Sequence, residues 1–153
     1  MLASDFQLFD TPGMLWPRII VEHSGHALAA SGGIGRNAYD EEEVALALLA
    51  NVRRRWADRL RARYKLGDMA SLSDLALLTE IARKRGGLLA GGQVNLQKAA
   101  EIAIVDFRVG AWGRITLETP DEFAQRWADG QLREAERRAA KSPPRDASAG
   151  QET

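Results

Sequence analysis

Apolar residues recur at steps of three and four along most of the chain, the spacing that places side chains on one face of a helix. The longest such pattern predicts a helix over residues 40–64, with Asp40 as N-cap and an acidic first turn that suits the helix dipole. Shorter helices are predicted over residues 21–31 and 72–84, the latter capped by Ser71. The long helix should bury Ala45, Leu48, Leu49, Val52, Trp56 and Leu60, and the third helix Leu75, Leu78, Ile81 and Ala82.

Two further helices are predicted in the second half of the chain. One begins after Asn95, a residue type that caps helices well, and should bury Ala99, Ile102, Ala103 and Phe107. The other opens with Thr119-Pro120-Asp121-Glu122, a capping box with proline at the first helical position, and runs to about Ala140. Residues 112–118 favour β structure and predict one extended segment packed against the helices.

A different pattern occupies the first residues. The apolar run Phe6-Gln7-Leu8-Phe9 predicts the end of a buried strand, and Asp10-Thr11-Pro12-Gly13 follows it directly. P-loop GTPases present their switch II loop in this way: the aspartate reaches a magnesium ion and the glycine amide meets the γ-phosphate. The alternative is an ordinary loop in which proline and glycine serve turn geometry.

The stretch Asp10-Thr11-Pro12-Gly13-Met14-Leu15-Trp16-Pro17 resembles the switch II signature of the YlqF/RbgA family of circularly permuted ribosome-biogenesis GTPases. Later segments are similar to further family motifs, in family order, over roughly residues 6–119. They are Leu28-Ala29-Ala30-Ser31-Gly32-Gly33-Ile34, Arg63-Tyr64-Lys65-Leu66, Arg83-Lys84-Arg85-Gly86 with Gly91-Gly92, and Asp106-Phe107-Arg108-x-Gly110-x-x-Gly113-Arg114.

The resemblance implies a mainly α protein. In this family the base-reading motif and the P-loop precede the Asp-Thr-Pro-Gly motif, and a helical C-terminal domain follows it. Residues 1–34 are therefore expected to be the remnant of a truncated α/β GTPase domain, containing an orphan strand, the switch II loop and a short helix. Residues 35–141 are expected to form a C-terminal bundle of four to five helices, with a hinge at residues 35–39. Residues 142–153 contain two prolines and small polar residues, which predicts a disordered tail.

The resemblance also implies GTP and Mg²⁺ as ligands of the intact family member. Asp10, Thr11, Pro12 and Gly13 would then bind the nucleotide, and Asp10 the magnesium ion. The sequence contains neither Gly-x-x-x-x-Gly-Lys-Ser/Thr nor Asn-Lys-x-Asp, so we expect no cofactor and no GTP hydrolysis for this chain alone, and an N-terminal GTPase half as its missing partner.

No residue of the chain is predicted to be catalytic. Met14 stands where Ras-like enzymes carry the glutamine that orients the attacking water, and an apolar side chain cannot do this. The two histidines, His23 and His26, are predicted to lie on the surface of a helix that begins near Glu22.

Composition narrows the possible partners. A formal net charge of zero excludes a uniformly basic nucleic-acid binder, so any RNA contact must depend on local clusters of cations. The absence of cysteine excludes disulfides and thiolate metal sites and suits the cytoplasm, where we expect the protein to reside. No apolar run approaches the length of a membrane span, so no membrane partner is expected.

Cations cluster at two places. Seven of the thirteen residues from Arg53 to Lys65 are Arg or Lys, and a helical wheel directs Arg54, Arg61 and Lys65 outward together. Arg83, Lys84 and Arg85 lie at a helix end beside two glycines. The resemblance implies contact with ribosomal RNA of the large subunit, so these six residues are the predicted RNA-binding residues. The alternative is a solvated helix face whose cations match the dipole. Exposed aromatic residues for base stacking are not evident, so recognition by phosphate and shape is expected.

Two functional hypotheses follow. The first is the C-terminal part of a GTPase that assists large-subunit assembly, with GTP hydrolysis only in the intact protein. The second is a stand-alone helical module that binds RNA or protein and has no enzyme activity. The predicted strand and Asp10–Gly13 indicate that the chain derives from a GTPase, which favours the first hypothesis for its origin. The absent P-loop indicates that the chain has no GTPase activity by itself, which favours the second hypothesis for its activity.

Overall fold

Five α-helices make up most of the part of the chain that can be described, which is residues 19–141 of the computed structural model. They are α1 (Glu22–Ser31), α2 (Glu41–Tyr64), α3 (Asp74–Arg85), α4 (Leu96–Arg108) and α5 (Pro120–Lys141), with a 3₁₀ turn at Arg36–Ala38. Within these residues the only β pairing is an isolated antiparallel bridge between Leu88 and Val94. The prediction of a mainly α fold is confirmed. The predicted strand, the Asp10–Gly13 loop and the predicted tail lie outside the described residues.

The N-terminus of α2 is formed as predicted. The Asp40 side chain accepts a hydrogen bond from the Glu43 amide at 2.9 Å, and the predicted apolar face is buried apart from Trp56, which is half-buried. Trp56 departs from helical geometry, with φ −126° and ψ 30°. The helix is therefore kinked at this residue, and its two halves do not follow a single straight helical wheel.

The predicted start of α3 is wrong by two residues. Ser73, not Ser71, is the N-cap, and its hydroxyl accepts a hydrogen bond from the Ala76 amide at 3.1 Å. Leu75 is half exposed, and Leu77 is fully buried in its place. Two adjacent rows of side chains on this helix form its buried face, Leu77 with Ile81 and Leu78 with Ala82. Leu75 lies outside that face.

The core lies where α2, α3 and α4 pack against one another, with α1 against α2 and α4. Asn95 caps α4 as predicted, accepting from the Lys98 amide at 2.9 Å. This helix presents mainly small side chains to the core (Ala99, Ala100 and Ala103), which lets its backbone approach its neighbours. Ile104 is buried, whereas Ile102 and Phe107, both predicted to be buried, are half-buried.

The segment after α4 is not the extended strand that residues 112–118 predict. It consists of turns and irregular structure, and it places Trp112 in the core beside Tyr64. Burial of the large indole explains the β-like composition here, because aromatic residues favour any half-buried surface and not strands alone.

The capping box at the start of α5 is confirmed. The Thr119 amide donates to Glu122 Oε2 at 2.8 Å, and the Glu122 amide donates to Thr119 Oγ1 at 3.4 Å. Arg55 of α2 also pairs with Glu122, which fastens the start of α5 to the bundle. No helix in residues 19–141 is both long and apolar enough to span a membrane.

Candidate functional site

A groove of about 640 Å³ lies between the C-terminal end of α3 and the length of α4. We call it the α3–α4 groove. Its charged lining contains five cationic residues and three carboxylates, so positive charge is in excess. The cations are Arg36, Lys84, Arg85, Lys98 and Arg108, and the carboxylates are Glu41, Glu101 and Asp106.

Three of these cations already have partners, two of them in tertiary contacts and one within its own helix. Arg36 pairs with Glu41 and with Glu101, and Lys98 pairs with Glu101 at 3.0 Å. Arg108 donates to the Ala29 and Ala30 carbonyl oxygens at 2.7 and 2.9 Å. The two guanidinium groups are held in place by contacts between elements and the Lys98 ammonium group by a pair within α4, and the charge of all three still contributes to the potential of the groove.

Lys84 and Arg85 differ from them. Both are exposed, and within residues 19–141 neither forms a salt bridge. They end α3 next to Gly86, which adopts a left-handed conformation with φ 78° and closes the helix. The third predicted member of this cluster, Arg83, pairs with Glu80 at 2.5 Å on the same helix. The structure therefore leaves two of the three residues available to an anion.

Asp106 lines the groove and is buried. Arg63 of α2 donates two hydrogen bonds to it, from Nε to Oδ2 at 2.9 Å and from Nη2 to Oδ1 at 2.6 Å. Burial opposes ionisation of this carboxyl group, but the hydrogen bonds from Arg63 and Tyr64 outweigh burial and lower the pKa of Asp106. The aspartate is thus ionised and joins α4 to the end of α2.

The cationic stretch of α2 divides into structural and exposed members. Arg53 donates to the Leu72 and Met69 carbonyl oxygens and pairs with Asp74, which fixes the α2–α3 connection. Arg55 pairs with Glu122, and Arg63 with Asp106. In the sequence these arginines belong to one basic run. Their partners lie 21, 67 and 43 residues away, so no local signal identifies them.

The three residues predicted to form a ridge on α2 are all exposed. Arg61 contacts Asp58 at 2.5 Å, and Lys65 follows the last residue of the helix in a left-handed conformation with φ 52°. Arg54 lies before the kink at Trp56 and lines a second cavity, of about 610 Å³, beside α1. The helical wheel that grouped the three residues assumed a straight helix, so their arrangement as one ridge stays a prediction.

The two histidines lie on α1, which begins at Glu22 as predicted, but both imidazoles are half-buried between α1 and α2. His23 Nε2 lies 3.2 Å from Asn51 Nδ2 and 3.9 Å from a Glu118 carboxylate oxygen. Burial, assisted by the charge of Arg126, lowers the pKa of His23. His26 Nε2 lies 3.3 Å from Glu43 Oε1.

Exposed aromatic side chains are present on α5, contrary to the sequence-based expectation. Phe123 and Trp127 stand one turn apart, stack with ring centroids 5.9 Å apart, and are 42% and 43% exposed. Their spacing is typical of the buried face of a helix, so the sequence alone does not distinguish them from core residues.

The sequence of the chain is similar to those of curated proteins of one kind. It is 36% identical over 122 residues to ribosome biogenesis GTPase A of Bacillus licheniformis, and 31% identical over 128 residues to the protein of that name from Bacillus cereus. These alignments include 80% and 84% of the chain. The chain is a homologue of ribosome biogenesis GTPase A. The family predicted from the Asp10–Pro17 stretch and the later motifs is confirmed.

The alignments cover only part of the length of these relatives. The chain spans 43% of the length of each ribosome biogenesis GTPase A. A more distant relative, GTPase grn1 of Schizosaccharomyces pombe, is 28% identical over 116 residues, which is 71% of the chain and 25% of that protein. No family model matches the chain.

Proposed function

We propose that the chain is the C-terminal part of a GTPase that assists assembly of the large ribosomal subunit, and that its helical domain binds ribosomal RNA at the α3–α4 groove. The observation that supports this most directly is the pair Lys84 and Arg85. Both are exposed, and neither forms a salt bridge within the described residues. The names of the relatives supply the link to ribosome biogenesis.

The chemistry of the groove suits a phosphate backbone. Arg85 offers a planar fork of donors and Lys84 a mobile ammonium group, the two side chains that proteins use most for phosphate. Lys98 and Arg108 extend the positive lining along α4. Recognition in this proposal depends on charge and shape, since phosphate contacts carry no sequence information.

The nucleotide part of the proposal concerns the longer protein. There Asp10 would approach magnesium and Gly13 the γ-phosphate, with Thr11 and Pro12 shaping the loop, and the protein would act in the cytoplasm. Because the sequence has no P-loop and no Asn-Lys-x-Asp motif, we expect no saturable binding of a fluorescent GTP analogue to this chain in the presence of Mg²⁺. Anisotropy measures this. Saturable binding of the analogue that is lost in the Asp10→Ala variant would contradict the expectation that this chain alone does not bind GTP.

The second candidate function, a stand-alone module that binds RNA or protein, is favoured by the same missing motifs. A module that binds RNA would share the groove with the first candidate and differ from it in having no nucleotide chemistry, whereas a module that binds protein would not depend on phosphate contacts.

The groove is tested by replacing Lys84 and Arg85 together with glutamate. We expect affinity for purified large subunits to fall at least about tenfold, because two phosphate contacts become repulsive. The slope of log affinity against log salt concentration should become shallower by about two. Co-sedimentation at several salt concentrations measures both quantities. Thermal unfolding should change little, since neither side chain forms a hydrogen bond or salt bridge within the described residues and Arg85 acts on Asp106 only through its charge.

Two further variants carry the same change of charge, one as a control and one as a test of the alternative site. Arg133→Glu with Lys141→Glu alters exposed cations of α5 that do not line the groove and should bind like wild type. Arg61→Glu with Lys65→Glu tests the predicted α2 surface. If the groove variant binds like the α5 control, the groove is not the RNA site, and loss in the α2 variant would place the site on α2.

A further inference from the structure

Three potential metal ligands converge where α1 meets the start of α2. Glu22 and His26 stand one turn apart on α1, and Glu43 belongs to the first turn of α2. One ligand atom from each residue lies within 4.8 Å of the other two. Donors around a tetrahedral zinc ion lie about 3.4 Å apart, as follows from metal–ligand distances of about 2.1 Å. Small rotations of two glutamate side chains cover the difference.

We propose that Glu22, His26 and Glu43 bind a zinc ion that links α1 to α2. One imidazole nitrogen with two carboxylates is a donor set that zinc accepts, whereas magnesium and calcium prefer oxygen ligands alone. Three protein ligands leave a fourth position for water. The two carboxylates balance the charge of the ion.

A separate observation points to a hydrogen-bond donor in the cavities that adjoin His26. Asn51 of α2 is only 5% exposed, and its side-chain oxygen has no hydrogen-bond partner among the described residues. Asn51 lines the two cavities between α1 and α2 that His26 also lines. Its amide nitrogen is already engaged, donating to the Leu117 carbonyl at 2.9 Å. A buried carbonyl oxygen without a donor is costly, and a water held in these cavities next to the proposed ion is a donor that would satisfy it.

Charged side chains near the proposed site affect its affinity for zinc. Arg54 lines the larger of these cavities and opposes a cation, while Arg53 beside it is neutralised by Asp74. His23 lines both cavities, and its nitrogen is held toward Asn51 and Glu118. The proposed ligand is therefore His26 and not His23, and the two imidazoles can be tested separately.

The test is titration of the metal-free chain with Zn²⁺ by calorimetry, and with Co²⁺ by visible absorption. We expect one equivalent to bind, with intense cobalt bands typical of four-coordinate geometry. His26→Ala and Glu43→Gln should each weaken binding at least about tenfold, as loss of even a supporting group at a metal site does. Glu42→Gln, the adjacent glutamate on the same turn, is the matched control and should leave affinity unchanged.

The proposal is overturned if the chain binds no zinc saturably, or if Glu43→Gln binds it like Glu42→Gln. Loss of binding in His23→Ala with retention in His26→Ala would equally overturn it. Circular dichroism shows that each variant is folded. Because Glu22 is exposed and Glu43 largely so, the variants Glu22→Gln and Glu43→Gln test the site even if His26→Ala unfolds. The result is independent of RNA binding, so it can fail while the proposed function stands.

Discussion

Replacing Trp112 with alanine should lower the free energy of unfolding by about 3–5 kcal/mol, the range measured for large aromatic residues removed from protein cores. Trp112 is 2% exposed. Its indole N–H donates to the Tyr64 hydroxyl at 3.0 Å. Its ring stands edge-on to Tyr64, with centroids 6.3 Å apart, and lies 5.9 Å from Phe107. The substitution would leave a cavity between the end of α2 and the end of α4, and a buried hydroxyl with one partner fewer. Urea denaturation followed by circular dichroism measures the loss.

Trp127→Ala is the matched control, since it removes the same side chain from a site that is 43% exposed, and it should cost about 1 kcal/mol or less. Trp112→Phe separates the contribution of ring packing from that of the indole hydrogen bond. It keeps an aromatic ring and removes the N–H donor, at a cost of about 1–3 kcal/mol. Equal stability of the two alanine variants would show that Trp112 does not hold the ends of α2 and α4 together.

Asp106→Asn should lower the free energy of unfolding by about 2–3 kcal/mol. The aspartate side chain is 8% exposed and the Arg63 side chain 30% exposed, so the cost is below the 3–5 kcal/mol typical of fully buried pairs. The asparagine keeps the shape but leaves the Arg63 guanidinium without its counter-ion.

The pH dependence of this pair has a definite sign. The pKa of Asp106 is lowered from 3.8 in the folded chain, since the hydrogen bonds from Arg63 and Tyr64 outweigh burial, which acts in the opposite direction. Ionised Asp106 therefore stabilises the fold fully above about pH 4 and loses its contribution as the pH falls through the folded-state pKa. The stability difference between wild type and Asp106→Asn should be constant from pH 7 to about pH 5 and shrink below about pH 4.

Urea denaturation at several pH values measures this difference. Asp58→Asn is the control: its carboxylate is 92% exposed although it pairs with Arg61, and such pairs contribute little. A difference that persists unchanged at pH 3 would mean that the Asp106 charge is not the source of the stability.

The sequence predicted the features of the fold that depend on nearby residues. Asp40, Asn95 and Thr119 are caps because the side-chain oxygen of each accepts a hydrogen bond from the amide three residues on, and the structure confirms all three. Ser71 and Ser73 are equally good caps by residue type. Only the packing of Leu77 in place of Leu75 decides between them.

The candidate site was predictable only in part, because the sequence shows where the charged residues are but not which groups they contact in the fold. Lys84 and Arg85 were identified, whereas the groove that gathers them with Lys98 and Arg108 arises from the packing of α3 on α4. The pairing of Arg63 with Asp106 joins two family-like motifs 43 residues apart. The RNA role of the six predicted cations and the nucleotide role of Asp10–Gly13 stay predictions.

The guanidinium group of Arg108 connects segments that the sequence places in different domains. It reaches two carbonyl oxygens in the last turn of α1 and the hydroxyl of Tyr39, at 2.7–3.0 Å. Segments joined in this way tend to open together in native-state hydrogen exchange. Amides at the end of α1 should therefore share their protection with the end of α4, so that one cooperative unit of local unfolding extends across the expected domain boundary after residue 34.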